Sequence, residues 1–200
     1  PWATPPIVAI LIWRWMLDPG VGVINAMLIG SGLVGQPIAF LATAGFVWRA
    51  LITIITWNTL PLVTLTFMAS LQSLPDELIE AAEVDGAGAV QKFRHITLPG
   101  LRYVIIVTVL LSFISTFNTF GLIYLMTGGG PGGATRVFSI LAYEKAIIGL
   151  RFGPGIATAF SMAPIMALVI FVLARVMRPD QRDQKDKRES YIDRALNYVG

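Results

Sequence analysis

The chain has 200 residues, is 55% hydrophobic and only 14% charged, and has a mean hydropathy of +0.70, whereas soluble domains carry roughly 25% charged residues. A net charge of +3 without basic residues interleaved among aromatics on one face excludes a nucleic-acid surface, and zero cysteines exclude disulfides and thiolate metal sites. Lipid is the solvent this composition fits, so the expected fold is all-α, a polytopic membrane helical bundle.

The first apolar run, residues 1–13, is short and begins at residue 1. It reads as a spanning helix whose first part lies upstream, leaving the membrane by about Leu17. It is not a signal peptide, having no basic start and no small-residue cleavage site. The outer segment 18–44 holds an apolar stretch, 21–29, expected to lie along the interface. Residues 103–135 and 152–174 contain no Asp, Glu, Lys or Arg, and 50–76 carries a charge only at its last residue. Each holds the roughly 20 residues that cross about 30 Å of hydrocarbon as a helix. The expected spans are 45–71, 101–124 and 155–177, with Trp48, Arg49 and Tyr124 near the interfaces.

Basic residues orient these spans. With the loop near 72–102 facing the cytoplasm, Lys92, Arg94 and Arg102 join the seven basic residues between Arg175 and Arg194, so ten of the 15 lie inside. Arg14, Arg49, Arg136, Lys145 and Arg151 fall outside or at the outer interface. Residues 179–200 form a charged cytoplasmic tail behind a transmembrane domain at 1–178.

The loop is the most polar part of the transmembrane domain. Ser73 followed by Asp76 resembles a capping box, with Pro75 in the first turn. A short helix over 75–84 follows, its acids Asp76, Glu77, Glu80 and Glu83 suited to a helix start. Ala81 and Ala82 give it a thin flank that another protein can approach. Asp85-Gly86 supplies a turn, and a second short helix, 87–94, carries Phe93. Pro99 closes the unit. On residue types alone, this reads first as a solvated connector with helix caps.

The order Glu80-Ala81-Ala82, three residues, Gly86, nine residues, Ile96, one residue, Leu98-Pro99 resembles the EAA motif of ABC importer permeases. Trp13-Arg14-Trp15 with Gly22 and Asn25, the run Ala69 to Pro75, Asp85-Gly86-Ala87, Thr127 to Pro131 and Phe152-Gly153 resemble the carbohydrate-uptake, maltose-transporter-like branch. The resemblance covers about 1–178 and implies a type I importer permease with some four of the usual six spans present. It implies that the loop at 75–99 docks on a separate cytoplasmic ATPase that holds the ATP and Mg; no cofactor is expected on this chain. Glu80, Ala81, Ala82, Asp85, Gly86, Phe93, Ile96, Leu98 and Pro99 would be the coupling residues. A second permease subunit, usually making a heterodimer, an extracytoplasmic substrate-binding protein and the lipid bilayer complete the implied partners. The implied location is a bacterial or archaeal cytoplasmic membrane, and the implied solute a sugar or related polyol.

Other candidates are weaker. Residues 128–135 nearly fit a phosphate-binding loop, but Ala134 stands where its lysine belongs. Gly128, Gly129, Gly130 and Pro131 would instead form an outer loop meeting the binding protein, or a plain flexible turn. Polar groups within spans mark a substrate pathway. Asn58 lies three residues before Pro61, and Ser115, Asn118 and Thr119 share a helix face beside Phe117. The same residues also read as helix–helix hydrogen bonds. Pro164 reads as a kink in the last span. His95 is the single histidine, and no catalytic constellation is present. A passive channel, a secondary transporter or a membrane scaffold are the alternative functions. Ion coupling would need mid-membrane ionisable residues, which the three long runs lack.

Overall fold

The computed structural model describes residues 1–117 and 119–177, and every regular element among them is helical. Helix α1 (Pro6–Met16) is followed by α2 (Val23–Gly30) and the long α3 (Ala44–Leu71). A polar stretch holds α4 (Asp76–Val84) and α5 (Ala89–Gly100). Helices α6 (Arg102–Phe117) and α7 (Phe120–Thr127) follow. After a glycine-rich loop come α8 (Phe138–Tyr143), prolonged by a π-turn at Glu144–Ile148, then α9 (Phe152–Phe160) and α10 (Ala163–Met177).

Two stretches are long and apolar enough to cross a membrane, α3 with 28 residues and Phe152–Arg175 with 24. A third span is available if α5 and α6, bent by 62° at Leu101, count as one. With 11 residues, α1 is shorter than the expected span. The third span, expected to run unbroken over 101–124, ends as a described helix at Phe117 and resumes at Phe120. The last span is interrupted at Ser161 and Met162, just before Pro164, whose ring fits the first turn of a new helix and not the interior of an old one. In α3, Pro61 removes one backbone donor, yet the helix runs through. The hydroxyls of Thr59, Thr64 and Thr66 donate to carbonyls four residues back, which keeps them satisfied inside an apolar segment.

Only 11% of the most apolar window of α3 and 6% of that in Phe152–Arg175 are buried, so their sides are free for lipid or further helices. The packed core sits at one end instead. Ile10 and Leu17, Val47, Ala50, Leu51 and Ile54 of α3, Ile123 and Met126 of α7, and Ile140 of α8 bury one another there.

The segment joining α1 to α3 is held by polar contacts. Asp18 Oδ1 accepts the N–H groups of Gly20 (2.8 Å) and Val21 (3.0 Å). Asn25, 2% exposed, donates from Nδ2 to the carbonyls of Asp18 and Ile38, and its Oδ1 accepts the Ile38 N–H at 2.8 Å. A side chain at Gly22 would meet the carbonyl oxygens of Asp18 and Met16 at 2.4 and 2.5 Å, so only glycine fits. Most of the apolar stretch 21–29 lies in α2, Val23–Gly30.

Candidate functional site

The polar loop folds as two helical arms. Its first arm, α4, starts directly after Pro75, and no side chain caps it. This corrects the expected Ser73 cap: Ser73 Oγ donates backwards to the Ser70 carbonyl at 2.7 Å and closes α3 instead. Asp76 and Glu77 occupy the first turn of α4, where the helix dipole favours acids.

Gly86 ends that arm with φ +76°. The Ala87 N–H reaches back to the Ala82 carbonyl (2.8 Å) and the Gly86 N–H to that of Glu83 (3.0 Å). This paired closure is the Schellman motif, which requires the left-handed residue that glycine supplies.

The second arm departs from expectation. It begins at Ala89, with the Gly88 N–H donating to Gln91 Oε1 at 2.8 Å, and runs on to Gly100. A π-turn spans Phe93–Thr97, ending in the bond from the Leu98 N–H to the Phe93 carbonyl. Pro99 comes next. Its missing N–H falls where the hydrogen-bond register changes, so proline is tolerated inside the arm. His95 Nδ1 lies 3.0 Å from the Gln91 carbonyl, the geometry of an N–H donor.

Ala82, Asp85, Gly86, Ala87, Gln91, Lys92, His95 and Ile96 line an open cleft of about 290 Å³ between the arms. Lys92 Nζ donates to Glu83 Oε1 across it at 2.6 Å. Glu80, Ala81, Asp85, Gly86, Phe93, Leu98 and Pro99 are exposed, and Ala82 and Ile96 half-buried. Val84 (88% exposed), Val90 (79%) and Phe93 (57%) leave their apolar surface uncovered. Val84 and Val90 escaped the sequence reading. They follow no periodicity, and only the fold places them at the tip.

The described intramembrane candidates lie on α3, on α6 and in the turn before α7. Asn58 is half-buried and donates to the Pro1 carbonyl at 3.3 Å, beside an edge-to-face contact of Trp13 with Trp57. Ser115 is exposed on α6, and Phe117 packs edge-on against Phe113. Thr119 Oγ1 donates to the carbonyls of Ser115 (3.4 Å) and Thr116, so its hydroxyl is spent on the end of α6. Asn118 lies outside the described residues. Thr119 sits in a turn just before α7, four residues on from Ser115 and still bonded to its carbonyl. No hydrogen bond joins Asn58 to Ser115 or Thr119 among the described residues.

The glycine-rich loop is ordered rather than a plain turn. Gly128, Gly129, Gly132 and Gly133 adopt positive φ, and the chain wraps around the fully buried Thr135. Thr135 Oγ1 donates to the Gly130 carbonyl (2.7 Å) and lies 2.7 Å from Thr127 Oγ1. Trp48 Nε1–H donates to the Ala134 carbonyl at 3.1 Å, and Arg136 pairs with Glu144 at 3.0 Å. Pro131 is half-buried in this wrap. Phe120, Tyr124 and Tyr143 stack beside it with centroids 5.0 to 5.3 Å apart.

A multi-span helical membrane protein with an ordered loop at one end and a two-armed polar loop at the other is the class that these features define. The profile of the family described as "binding-protein-dependent transport system inner membrane component" matches residues 1–181, and the chain belongs to that family. It is 36% identical over 173 residues to the trehalose/maltose transport system permease protein MalF of Thermococcus litoralis, covering 86% of this chain and 57% of that protein. It is 35% identical over 178 residues to the sulfoquinovosyl glycerol transport system permease protein SmoG of Agrobacterium fabrum, covering 89% and 57%. The chain therefore spans little more than half the length of these relatives. The fold matches a chain of a bacterial ABC transporter involved in the import of the acidic polysaccharide alginate, with TM-score 0.78, 23% identity and coverage of 88% and 62%.

Proposed function

We propose that the chain is the core of a permease subunit of an ATP-driven, binding-protein-dependent importer in a bacterial or archaeal cytoplasmic membrane. Family membership carries this reading. ATP and Mg belong to a separate ATPase, and the two-armed loop is the part of this chain that meets it. Glu80, Ala81, Ala82, Asp85, Gly86 and Phe93 form the contact, with Ile96, Leu98 and Pro99 linking it to α6. The exposure of the apolar tip and the lack of an ion-pair partner for Glu80 among the described residues support that role. The loop at Gly128, Gly129, Gly130 and Pro131 is the proposed seat of the binding protein. The relatives named for trehalose, maltose and sulfoquinovosyl glycerol make a sugar or sugar-like polyol the proposed solute. Asn58, Ser115, Phe117, Asn118 and Thr119 are proposed to line its path, and a second permease completes the pathway.

The test is to tag the full-length parent protein, purify it from membranes in mild detergent and identify stoichiometric partners by mass spectrometry. Recovery of an ATPase and a second permease is expected, with the ATPase lost in Gly86→Val. Recovery of the chain alone, with the loop tolerant of Gly86→Val, would overturn the importer reading in favour of a channel or scaffold.

A further inference from the structure

The two arms of the polar loop scarcely hold one another. The cleft between them is open, and no buried residue lies in either. Their covalent join is the Asp85-to-Gly88 turn, which contains a glycine in the left-handed region. The side-chain bonds of Gln91 and His95 stay within the second arm. Among the described residues, one side-chain bond crosses from arm to arm: Lys92 Nζ to Glu83 Oε1 at 2.6 Å. Lys92 is the better covered partner, its side chain 24% exposed against 59% for Glu83.

We propose that Glu83 and Lys92 are positioning residues that clamp α4 to α5, so that displacement of the first arm by the ATPase reaches α6 instead of being absorbed at the Gly86 turn. This rests on the importer reading above. The mechanical logic is simple. A force applied to α4 reaches α6 through two connections, the turn and the ion pair. The turn, closed by its two backbone bonds, is a single point of attachment, so it transmits direction poorly. The ion pair adds a second point of attachment about one turn of helix beyond the bend on each side, and two points fix an angle where one does not. The pair also explains why a cleft persists between the arms: they are spaced by two long side chains, not by packed apolar surface.

An exposed pair shifts such an equilibrium by only about 1.5- to 5-fold. That is too little to decide whether the loop folds. It is enough to change how often ATP is hydrolysed without a solute being moved.

The experiment uses the full importer purified through the full-length parent chain and reconstituted in proteoliposomes. ATP hydrolysed per solute imported is measured for wild type, Glu83→Lys, Lys92→Glu and the exchanged pair Glu83→Lys/Lys92→Glu. The expected result is that each single reversal raises that ratio about 2- to 5-fold while the ATPase still co-purifies, and that the exchanged pair restores most of the loss. A merely structural role would lower the amount of complex without moving the ratio. Single reversals that leave the ratio at the wild-type value, or an exchanged pair no better than the singles, would overturn the clamp. If reversal prevents assembly, Glu83→Gln, Lys92→Gln and the double variant replace it. A clamp then requires the double to match either single, and additive effects overturn it. Wild-type protein that recovers no ATPase would instead overturn the importer reading.

Discussion

The two ends of this molecule are built on different principles. At the end where α1, α3, α7 and α8 converge, Leu51, Ile54, Val47 and Ile140 are at most 1% exposed, and a glycine-rich loop is knotted around Thr135 by three polar contacts. At the other end, the two-armed loop buries no side chain and exposes valines and a phenylalanine. The first end is stable because its apolar groups cover one another. The second is shaped by helix caps, a turn and one ion pair, and leaves its apolar groups for something else to cover. Loops that must be moved or gripped come from the weakly packed end of a structure, because a rigidly packed loop resists both.

That contrast breaks most readily at the packed end. Leu51→Ala or Ile140→Ala should destabilise the protein by about 2–5 kcal/mol through the cavity each leaves, read as a lower unfolding temperature in detergent. The same truncation at Val84 or Val90 should leave the unfolding temperature unchanged. A loss there equal to that at Leu51 would show that the loop is packed in solution. Next comes Gly155→Ala, where an added methyl meets Ala146 Cβ at 2.4 Å and its backbone nitrogen at 2.8 Å. Forcing α9 away from the π-turn should cost about 1–3 kcal/mol in the same assay. Thr135→Val removes the hydroxyl that holds the glycine-rich loop and should cost about 1–3 kcal/mol, with new protease cleavage confined to 128–137. A Cβ at Gly86 meets no atom within 4 Å, so Gly86→Val strains chiefly the backbone, held at φ +76°. A local cost of about 1–2 kcal/mol is expected, with normal insertion and lost ATPase association. Smallest is Lys92→Glu, whose effect on thermal stability should stay below about 1 kcal/mol while ATP use per solute rises.

Much of this was legible along the chain. Residues 45–71 lack charge from Ala50 onward and form α3 almost to the residue, because a long apolar run of this length folds as one helix across hydrocarbon. The spacing from Glu80 to Pro99 identified the loop and its Gly86 turn, since a left-handed helix end has a local signature. Ser73 misled, because Ser-x-x-Asp also fits a serine that closes the preceding helix. The face through Ser115 and Thr119 reaches a turn at Thr119, whose hydroxyl still bonds back to the Ser115 carbonyl.

The sequence by itself determined the helical class, the long α3 and the place of the polar loop, because these follow from composition and from contacts a few residues apart. Only the tertiary structure decided that Trp48 would reach Ala134, that a bend of 62° would set α5 against α6, and that the glycine-rich loop would close around Thr135. It alone placed Lys92 within reach of Glu83, nine positions earlier. The first of these depends on where separate helices come to rest, set by side chains that bury one another far apart in the chain, and the others on how turns aim the segments that follow them.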